Sequence, residues 1–269
     1  MVSHRTLNKN EIYEHMSELV ELSNNKHKQF RIKPNCAVEF SASQQIMRLR
    51  AVEIGKAVTN FPVFLTRNTH DGSGVLSALT SFDSSSNLYV KDTQWQATYQ
   101  PTVMQTYPLF LMKSPKDENS YTIGIDEQSS AFSRDNGEAL FDEGGKASLY
   151  LSRVKTLLEA DIKNDIHTYQ FIHKLQELEL LKGIDLLVHY QDASVQTLTG
   201  LNTIDEDKLH ALSAEQLYEL NQQGYLVPIH AMLVSIYQLN LLVRYHNAMI
   251  GNKKVTQVKL EVTKDREAA

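Results

Sequence analysis

Apolar and polar positions change their spacing along the chain, and this change divides it into two parts. Before Ile125 the apolar runs are short and lie between polar turns, as in antiparallel strands, for example at Phe61–Thr66 and Val75–Phe82. After Ser148 the apolar residues recur at spacings of three and four, as in helices. The pattern predicts an α+β fold in which antiparallel strands, mainly in the N-terminal half, pack against a mainly helical C-terminal half.

Three local patterns are informative in the first half. Residues 8–23 repeat apolar side chains three and four apart, which predicts an amphipathic helix that packs on the domain edge or on a partner. The runs CAVEF, from Cys36, and IMRLR, from Ile46, flank the polar link SASQ and predict a hairpin of strands. Val52–Thr59 is typical of a short helix, which ends before Pro62.

The second half predicts helices on either side of one hairpin. A helix capped by Ser148 should break near Asn164-Asp165, and a second helix should continue to Gly183. The strands within Ile184–Leu201 should pair around the turn QDAS.

The segment Ile229–His246 is apolar nearly all round, which predicts the most buried helix, with Leu233 and Ile236 almost inaccessible. Val255–Val262 is typical of an edge strand. Together the patterns predict one α+β domain at residues 25–262, preceded by a helical extension at 1–24 and followed by a solvated tail at 263–269.

Composition narrows the class of protein. Of the 269 residues, 42% are hydrophobic and 22% are charged, as in ordinary globular proteins. The net charge of −5 gives no general attraction to nucleic acid. The single cysteine, Cys36, excludes an intramolecular disulfide and fits a reducing compartment. With no run of ~20 apolar residues and no apolar signal core, we expect a cytoplasmic protein without a transmembrane segment, although export without an N-terminal signal stays open.

Familiar catalytic and cofactor motifs are absent from the sequence. The ten histidines show no metal-ligand spacing, and neither a G-x-S-x-G elbow nor a G-x-G-x-x-G fingerprint occurs. The acidic residues around Asp142 lack the D-x-D-x-D-G run of a calcium loop. We therefore predict no metal and no cofactor, and catalytic residues remain unknown.

Aromatic and acidic residues in turn-rich stretches are the candidates for a binding site. We hypothesise that they converge on one surface or shallow cleft that would suit a basic or amphipathic peptide. The alternative is structural: the aromatic rings fill the core, and the carboxylates cap turns. The candidates are Trp95, Tyr99, Tyr107, Asp126, Glu138, Phe141 and Asp142.

Several blocks of sequence, spread over roughly residues 25–250, resemble the SapC family of bacterial proteins. These blocks are NFPVFL (Asn60–Leu65), NLYVKDTQW (Asn87–Trp95), YQP (Tyr99–Pro101), TYPLFL (Thr106–Leu111), IGIDEQS (Ile123–Ser129), NGEALFDEGG (Asn136–Gly145), LYL (Leu149–Leu151), GLNTIDEDKLHAL (Gly200–Leu212) and Gly224–Leu242. The resemblance implies a link to surface-layer biology, or to flavin-dependent halogenase-like proteins beside which members occur. It supplies no catalytic residues, and the peptide-transport permease that shares the name is unrelated.

Two classes of function follow. The first is a non-enzymatic binding or accessory protein with a protein or peptide partner, which the missing catalytic motifs favour. The second is an uncharacterised enzyme or small-molecule binder with an aromatic and acidic pocket. An enclosed pocket with convergent polar groups would favour the second class, and an exposed apolar patch would favour the first.

Overall fold

The computed structural model of the protein describes residues 2–6, 19–68, 72–115 and 117–263. The helices are α1 (Asn24–His27), α2 (Cys36–Ser41), α3 (Ile54–Ala57), α4 (Thr102–Thr106), α5 (Leu149–Glu177), α6 (Glu206–His210), α7 (Ala214–Gln222), α8 (Leu226–Ser235) and α9 (Leu239–Ala248), with 3-10 turns at Ala51–Glu53 and Ile236–Gln238. The strands are β1 (Val2–Thr6), β2 (Val20–Glu21), β3 (Arg31–Ile32), β4 (Ile46–Arg48), β5 (Val63–Arg67), β6 (Gly74–Leu79), β7 (Val90–Lys91), β8 (Gln94–Trp95), β9 (Phe110–Ser114), β10 (Asp117–Ile125), β11 (Phe132–Ser133), β12 (Glu138–Ala139), β13 (Leu181–Tyr190), β14 (Val195–Ile204) and β15 (Val255–Val262).

The largest sheet has seven strands, in the order β15-β13-β14-β5-β6-β4, with β1 paired to β14. β1 runs parallel to β14, and the other neighbours in this sheet run antiparallel. The predicted second hairpin therefore joins the N-terminal strands in one sheet, where Asn202 of β14 faces Leu65 of β5. β15 lies at the sheet edge, as predicted, and the α+β fold class is confirmed.

Smaller sheets cover the rest of the strand-rich part. One has the order β2-β10-β9, a second has the order β11-β3-β12, and β7 pairs with β8. Since Val20 pairs with Ile125 in the first of these, residues ahead of 25 contribute to the folded structure. The predicted single domain at residues 25–262 stays a prediction.

Buried apolar side chains form two clusters, and the long helix α5 contributes to both. The large cluster packs around the seven-stranded sheet and receives Phe171, Ile172 and Leu175 from the second half of α5. The small cluster receives its α5 residues from the first half of the helix. It consists of Ile32, Cys36, Leu109, Ile125, Ala131, Leu140, Leu151, Val154 and Leu158.

The predicted helix break near Asn164-Asp165 is wrong, because α5 is continuous over 29 residues. Its acidic residues bind arginines of the strand region instead of capping a new helix. Arg50 makes a two-pronged contact with Asp161, at 2.7 Å from Nε to Oδ1 and 2.6 Å from Nη2 to Oδ2, and also pairs with Asp165. Arg48 donates to the same Asp165 oxygen at 2.7 Å. Gly183, predicted as a helix end, lies inside β13.

Two predictions in the first half also need correction. CAVEF forms the helix α2 rather than a strand, and it begins after Asn35, which adopts a left-handed conformation with φ of 61°. A run of five mixed residues is too short for periodicity to separate strand from helix. The strand Val20–Glu21 overlaps the predicted helix 8–23, and residues 8–18 of that helix lie outside the described residues.

The segment Leu226–Ala248 is buried on one face only. Leu233 and Ile236, predicted to be inaccessible, are half-buried, and Val234 and Tyr237 are 57% and 75% exposed. Apolar residues all round a helix do not force burial all round, because only one face meets the sheet. The buried face carries Ile229, Met232, Ser235, Leu239, Leu242 and His246.

By length and composition alone, Leu226–Ala248 is apolar enough to cross a membrane, since an 18-residue stretch has a mean hydropathy of 1.7. Core helices of soluble proteins meet the same criterion, and 33% of this stretch is buried. The finding is weak, and the absence of a transmembrane segment stays a prediction.

Glu53 is a buried carboxylate that joins its own 3-10 turn to the connection at Tyr99–Thr102. Its Oε1 accepts hydrogen bonds from the Tyr99 hydroxyl at 2.5 Å, the Thr102 backbone N–H at 2.8 Å and the Thr102 hydroxyl at 2.9 Å. Its Oε2 accepts from the Arg50 backbone N–H at 2.8 Å. These bonds satisfy a charge that would otherwise be costly to bury.

We expect Met232→Ala to lower the free energy of unfolding by about 2–5 kcal/mol, because the fully buried side chain would leave a cavity in the large cluster. Urea unfolding followed by circular dichroism measures the loss. Val234→Ala on the exposed face is the control, with a change within about 0.5 kcal/mol. Equal losses for the two variants would contradict one-sided burial of the helix.

Glu53→Gln should destabilise the protein by about 1–3 kcal/mol. An amide has only one oxygen, so its NH₂ group would face either the Arg50 N–H or the donors of Tyr99 and Thr102. Thermal and urea unfolding measure the effect, with the exposed Glu143→Gln as a control. A neutral result for Glu53→Gln would show that the four hydrogen bonds contribute little.

Candidate functional site

A cleft of about 440 Å³ lies between α2, α4, β12 and the first turns of α5. We call it the Tyr107 cleft. Its volume lies in the range of about 300–1,000 Å³ that is usual for ligand sites. It is lined by Ile32, Lys33, Pro34, Asn35, Cys36, Ala37, Val38, Gln100, Met104, Gln105, Tyr107, Gly137, Glu138, Tyr150, Arg153 and Val154.

One wall of the cleft depends on a glycine that comes very close to a neighbouring strand. Gly137 has φ of +111°, and a Cβ atom there would collide with the carbonyl group of Ile32. The Gly137 carbonyl accepts a hydrogen bond from Arg31 Nη1 at 3.0 Å, and Glu138 pairs with Ile32. A glycine at this position is therefore required for β12 to reach β3.

The lining combines an apolar part with a charged rim. Cys36, Met104 and Val154 are buried, whereas Lys33, Glu138 and Arg153 are exposed. Neither cation of the rim forms an ion pair with any residue in the described part of the chain. The rim thus presents two cations and one anion to solvent.

Burial keeps the acidic hydroxyl and thiol groups of the cleft protonated. It raises the pKa of Cys36 to about 11 and that of Tyr150 to about 12. The pKa of Tyr107 is also raised, chiefly by burial. At neutral pH the cleft therefore holds a thiol and not the thiolate that acts as a nucleophile.

Tyr107 is fixed at the side of the cleft by stacking. Its ring lies 4.3 Å from that of Phe40, centre to centre, with 17° between the planes, and Phe110 meets it edge-on. Its hydroxyl interacts with Ser129. Of the seven sequence candidates, only Tyr107 and Glu138 line this cleft.

Trp95 and Tyr99 lie elsewhere and pack against the large cluster. Trp95 Nε1 donates to the Tyr99 carbonyl at 3.0 Å, and its ring contacts Phe61 and Tyr89. The Tyr99 hydroxyl donates to Glu53, and burial followed by that carboxylate raises its pKa. These aromatic residues therefore anchor an irregular connection to the core.

The remaining acidic candidates are engaged in turns. Asp126 Oδ1 accepts from the Gln128 N–H at 2.8 Å, and Asp142 Oδ1 accepts from the Lys146 N–H at 2.8 Å. Phe141 packs partly buried against the small cluster. The local contacts of Asp126, Phe141 and Asp142 are therefore those of the alternative in which carboxylates cap turns and aromatic rings pack in the core. A role of these residues in binding stays a prediction.

Comparison with known proteins adds one match. The family model described as SapC matches residues 22–242. The chain belongs to the SapC family. No curated protein and no solved structure matches it.

Several cleft residues of this SapC-family chain were missed by sequence reasoning. Lys33 lies in the stretch Lys26–Lys33, which by composition is typical of a solvated connector. Tyr150 and Arg153 lie three apart on α5, so one helix face carries both into the lining. The spacing of three could have identified Tyr150 and Arg153 as neighbours on one helix face. It does not show which strand and helices form the other walls of the cleft.

The basic stretch also contains a buried histidine. His27 is 1% exposed, and its Nδ1 accepts the Ser23 backbone N–H at 2.9 Å. The ring proton is therefore on Nε2, which donates to Glu127 at 2.7 Å. Asp126 and Glu127 thus bind different partners. Within the residues the structure describes, no group of three or more His, Cys, Asp or Glu is placed to hold a metal ion.

Alkylation of Cys36 tests the environment of the cleft. Since its pKa is raised from 9.0 to about 11, the folded protein should react with iodoacetamide at a rate that still increases above pH 10. The thiolate of the unfolded chain forms at lower pH, so folding stability should fall as pH rises from about 9 to 11. Mass spectrometry measures the rate, and the urea-unfolded chain is the control. A folded-state rate that levels off near pH 9 would contradict the shift.

Proposed function

We propose that this SapC-family chain is a non-enzymatic binding or accessory protein, and that the Tyr107 cleft takes a segment of a partner protein. One observation supports the proposal above all. The interior of the cleft is uncharged and largely buried, whereas its rim carries exposed cations that form no ion pair with described residues. The thiol and hydroxyl groups inside are protonated at neutral pH, which does not favour nucleophilic or acid–base chemistry.

Binding suits the remaining features of the cleft. Half-buried side chains such as Val38 and Tyr150 offer a surface for an apolar anchor. Exposed Lys33, Glu138 and Arg153 can orient the ligand through their charges at the rim. The cleft lies on loops and short elements held by α5 and the small cluster. Loops held by a rigid scaffold are common sites of recognition.

The family resemblance supplies the proposed setting. We place the protein in bacterial envelope or surface-layer biology, or beside a flavin-dependent halogenase-like partner, with a cytoplasmic location and no nucleic-acid partner. The net charge of −5 supports the last point.

The second candidate, an enzyme or small-molecule binder with an aromatic and acidic pocket, finds less support. Its residues are divided between the two clusters, and Asp126 and Asp142 are engaged in turns. A small molecule that co-purifies with the protein would favour this candidate, since 440 Å³ is large enough for one.

Affinity capture from the native host tests the proposal. The full chain should retain a specific protein, identified by mass spectrometry, and a filled cleft should weaken binding of that purified protein at least about tenfold. Gln105→Trp places a large ring at the half-buried lining of α4. The tenfold loss corresponds to about 1.4 kcal/mol.

Tyr237→Trp is the matched control, because Tyr237 is 75% exposed on the 3-10 turn outside the cleft. Circular dichroism and thermal unfolding should show that both variants fold. Unchanged binding by folded Gln105→Trp would place the partner site outside the Tyr107 cleft, and extraction of a small molecule alone would favour the second candidate.

A further inference from the structure

We infer that the Tyr107 cleft, which rests on the function proposed above, recognises an acidic peptide segment that places an aspartate or glutamate beside a bulky apolar residue. The hypothesis of a basic peptide came from the carboxylates in the sequence, and the structure assigns two of those carboxylates to turns. The charged groups that line the cleft favour an acidic peptide instead.

The charges at the rim favour a ligand with a negative charge. Lys33 and Arg153 are cations and Glu138 is the only carboxylate among the lining residues. Glu39 lies near Cys36 but does not line the cleft. The excess of positive charge is local, because the whole chain carries 32 acidic and 27 basic residues.

Of the two cations, we expect Arg153 to contribute more to recognition of the ligand's carboxylate. It lies on α5 one turn after Tyr150, and Arg153 and Glu138 act on the pKa of that tyrosine in opposite directions. Both charges therefore lie near Tyr150. A guanidinium group matches a carboxylate with two parallel hydrogen bonds, and no residue in the described part of the chain already takes that place.

Side-chain amides give the reason for a peptide over a small anion. Asn35 and Gln100 line the cleft, and their side-chain amides make no hydrogen bond with described residues. Each amide offers a donor and an acceptor, which is the complement of a peptide group. Gln105 is less free, because its Nε2 donates to the Gln100 carbonyl at 2.8 Å.

The apolar lining sets the second requirement on the ligand. Val38, Tyr107 and Tyr150 are half-buried at the cleft, and a bulky side chain placed against them would remove further apolar area from water. Burial of apolar area has no directional requirement, so we expect a preference for large apolar residues without a strict choice among them.

A random peptide library displayed on phage tests the inference against the immobilised full chain. We expect enrichment of peptides that carry aspartate or glutamate within a few residues of a bulky apolar residue. For a synthetic enriched peptide, Arg153→Gln should weaken binding about 10- to 100-fold, which corresponds to the loss of a charge-assisted hydrogen bond. Replacing the peptide's acidic residue by its amide should have a similar effect on the wild-type protein and little effect on Arg153→Gln.

Arg244→Gln is the matched control, because Arg244 is exposed on α9 and does not line the cleft. Enrichment of basic or uncharged peptides that Gln105→Trp still blocks would overturn the acidic preference and leave the proposed function standing. Peptides that bind folded Gln105→Trp as well as the wild type, or no enrichment at all, would overturn both.

Discussion

The buried carboxylate of Glu53 is the constraint that holds the turn before α3 against the connection that leads into α4. Its four donors come from Arg50, Tyr99 and Thr102, so it fixes the segment before α3 against the start of α4. The side chain of Arg50 continues the connection to Asp161 on α5. A buried carboxylate with complete hydrogen bonding tolerates few alternatives, and this makes the contact between these segments specific.

The parts of the fold that could be predicted are those with a local cause. Residue alternation and turn residues located the hairpin of β13 and β14, and apolar spacing indicated the helices after Ser148, whereas α2 was predicted as a strand. The break assigned to Asn164-Asp165 failed because an aspartate can cap a helix or bind an arginine, and Arg48 and Arg50 are 117 and 115 residues away from Asp165. The burial of Leu233 failed for a similar reason, since composition does not show which helix face meets the sheet.

The candidate site divides in the same way. Tyr107 and Glu138 belong to motifs of unusual composition, and both line the cleft. Arg153 is an ordinary residue on the polar face of a helix, and Lys33 is the last residue of a basic stretch. These residues form a candidate site only because the fold brings them together. Gly137 allows β12 to approach β3 closely enough to form one wall of the cleft.

The order of strands in the large sheet has a consequence for folding. β5 and β6 are adjacent in sequence and can pair early, but the neighbour of β5 is β14, whose residue Asn202 is 137 positions after Leu65. During synthesis the edge of β5 that pairs with β14 therefore stays unpaired until most of the chain has left the ribosome. Such distant pairing implies a high contact order and slow folding, with an edge open to non-native pairing in the meantime. A chain of this topology benefits from a long helix such as α5, which can form from local contacts while the sheet is still incomplete.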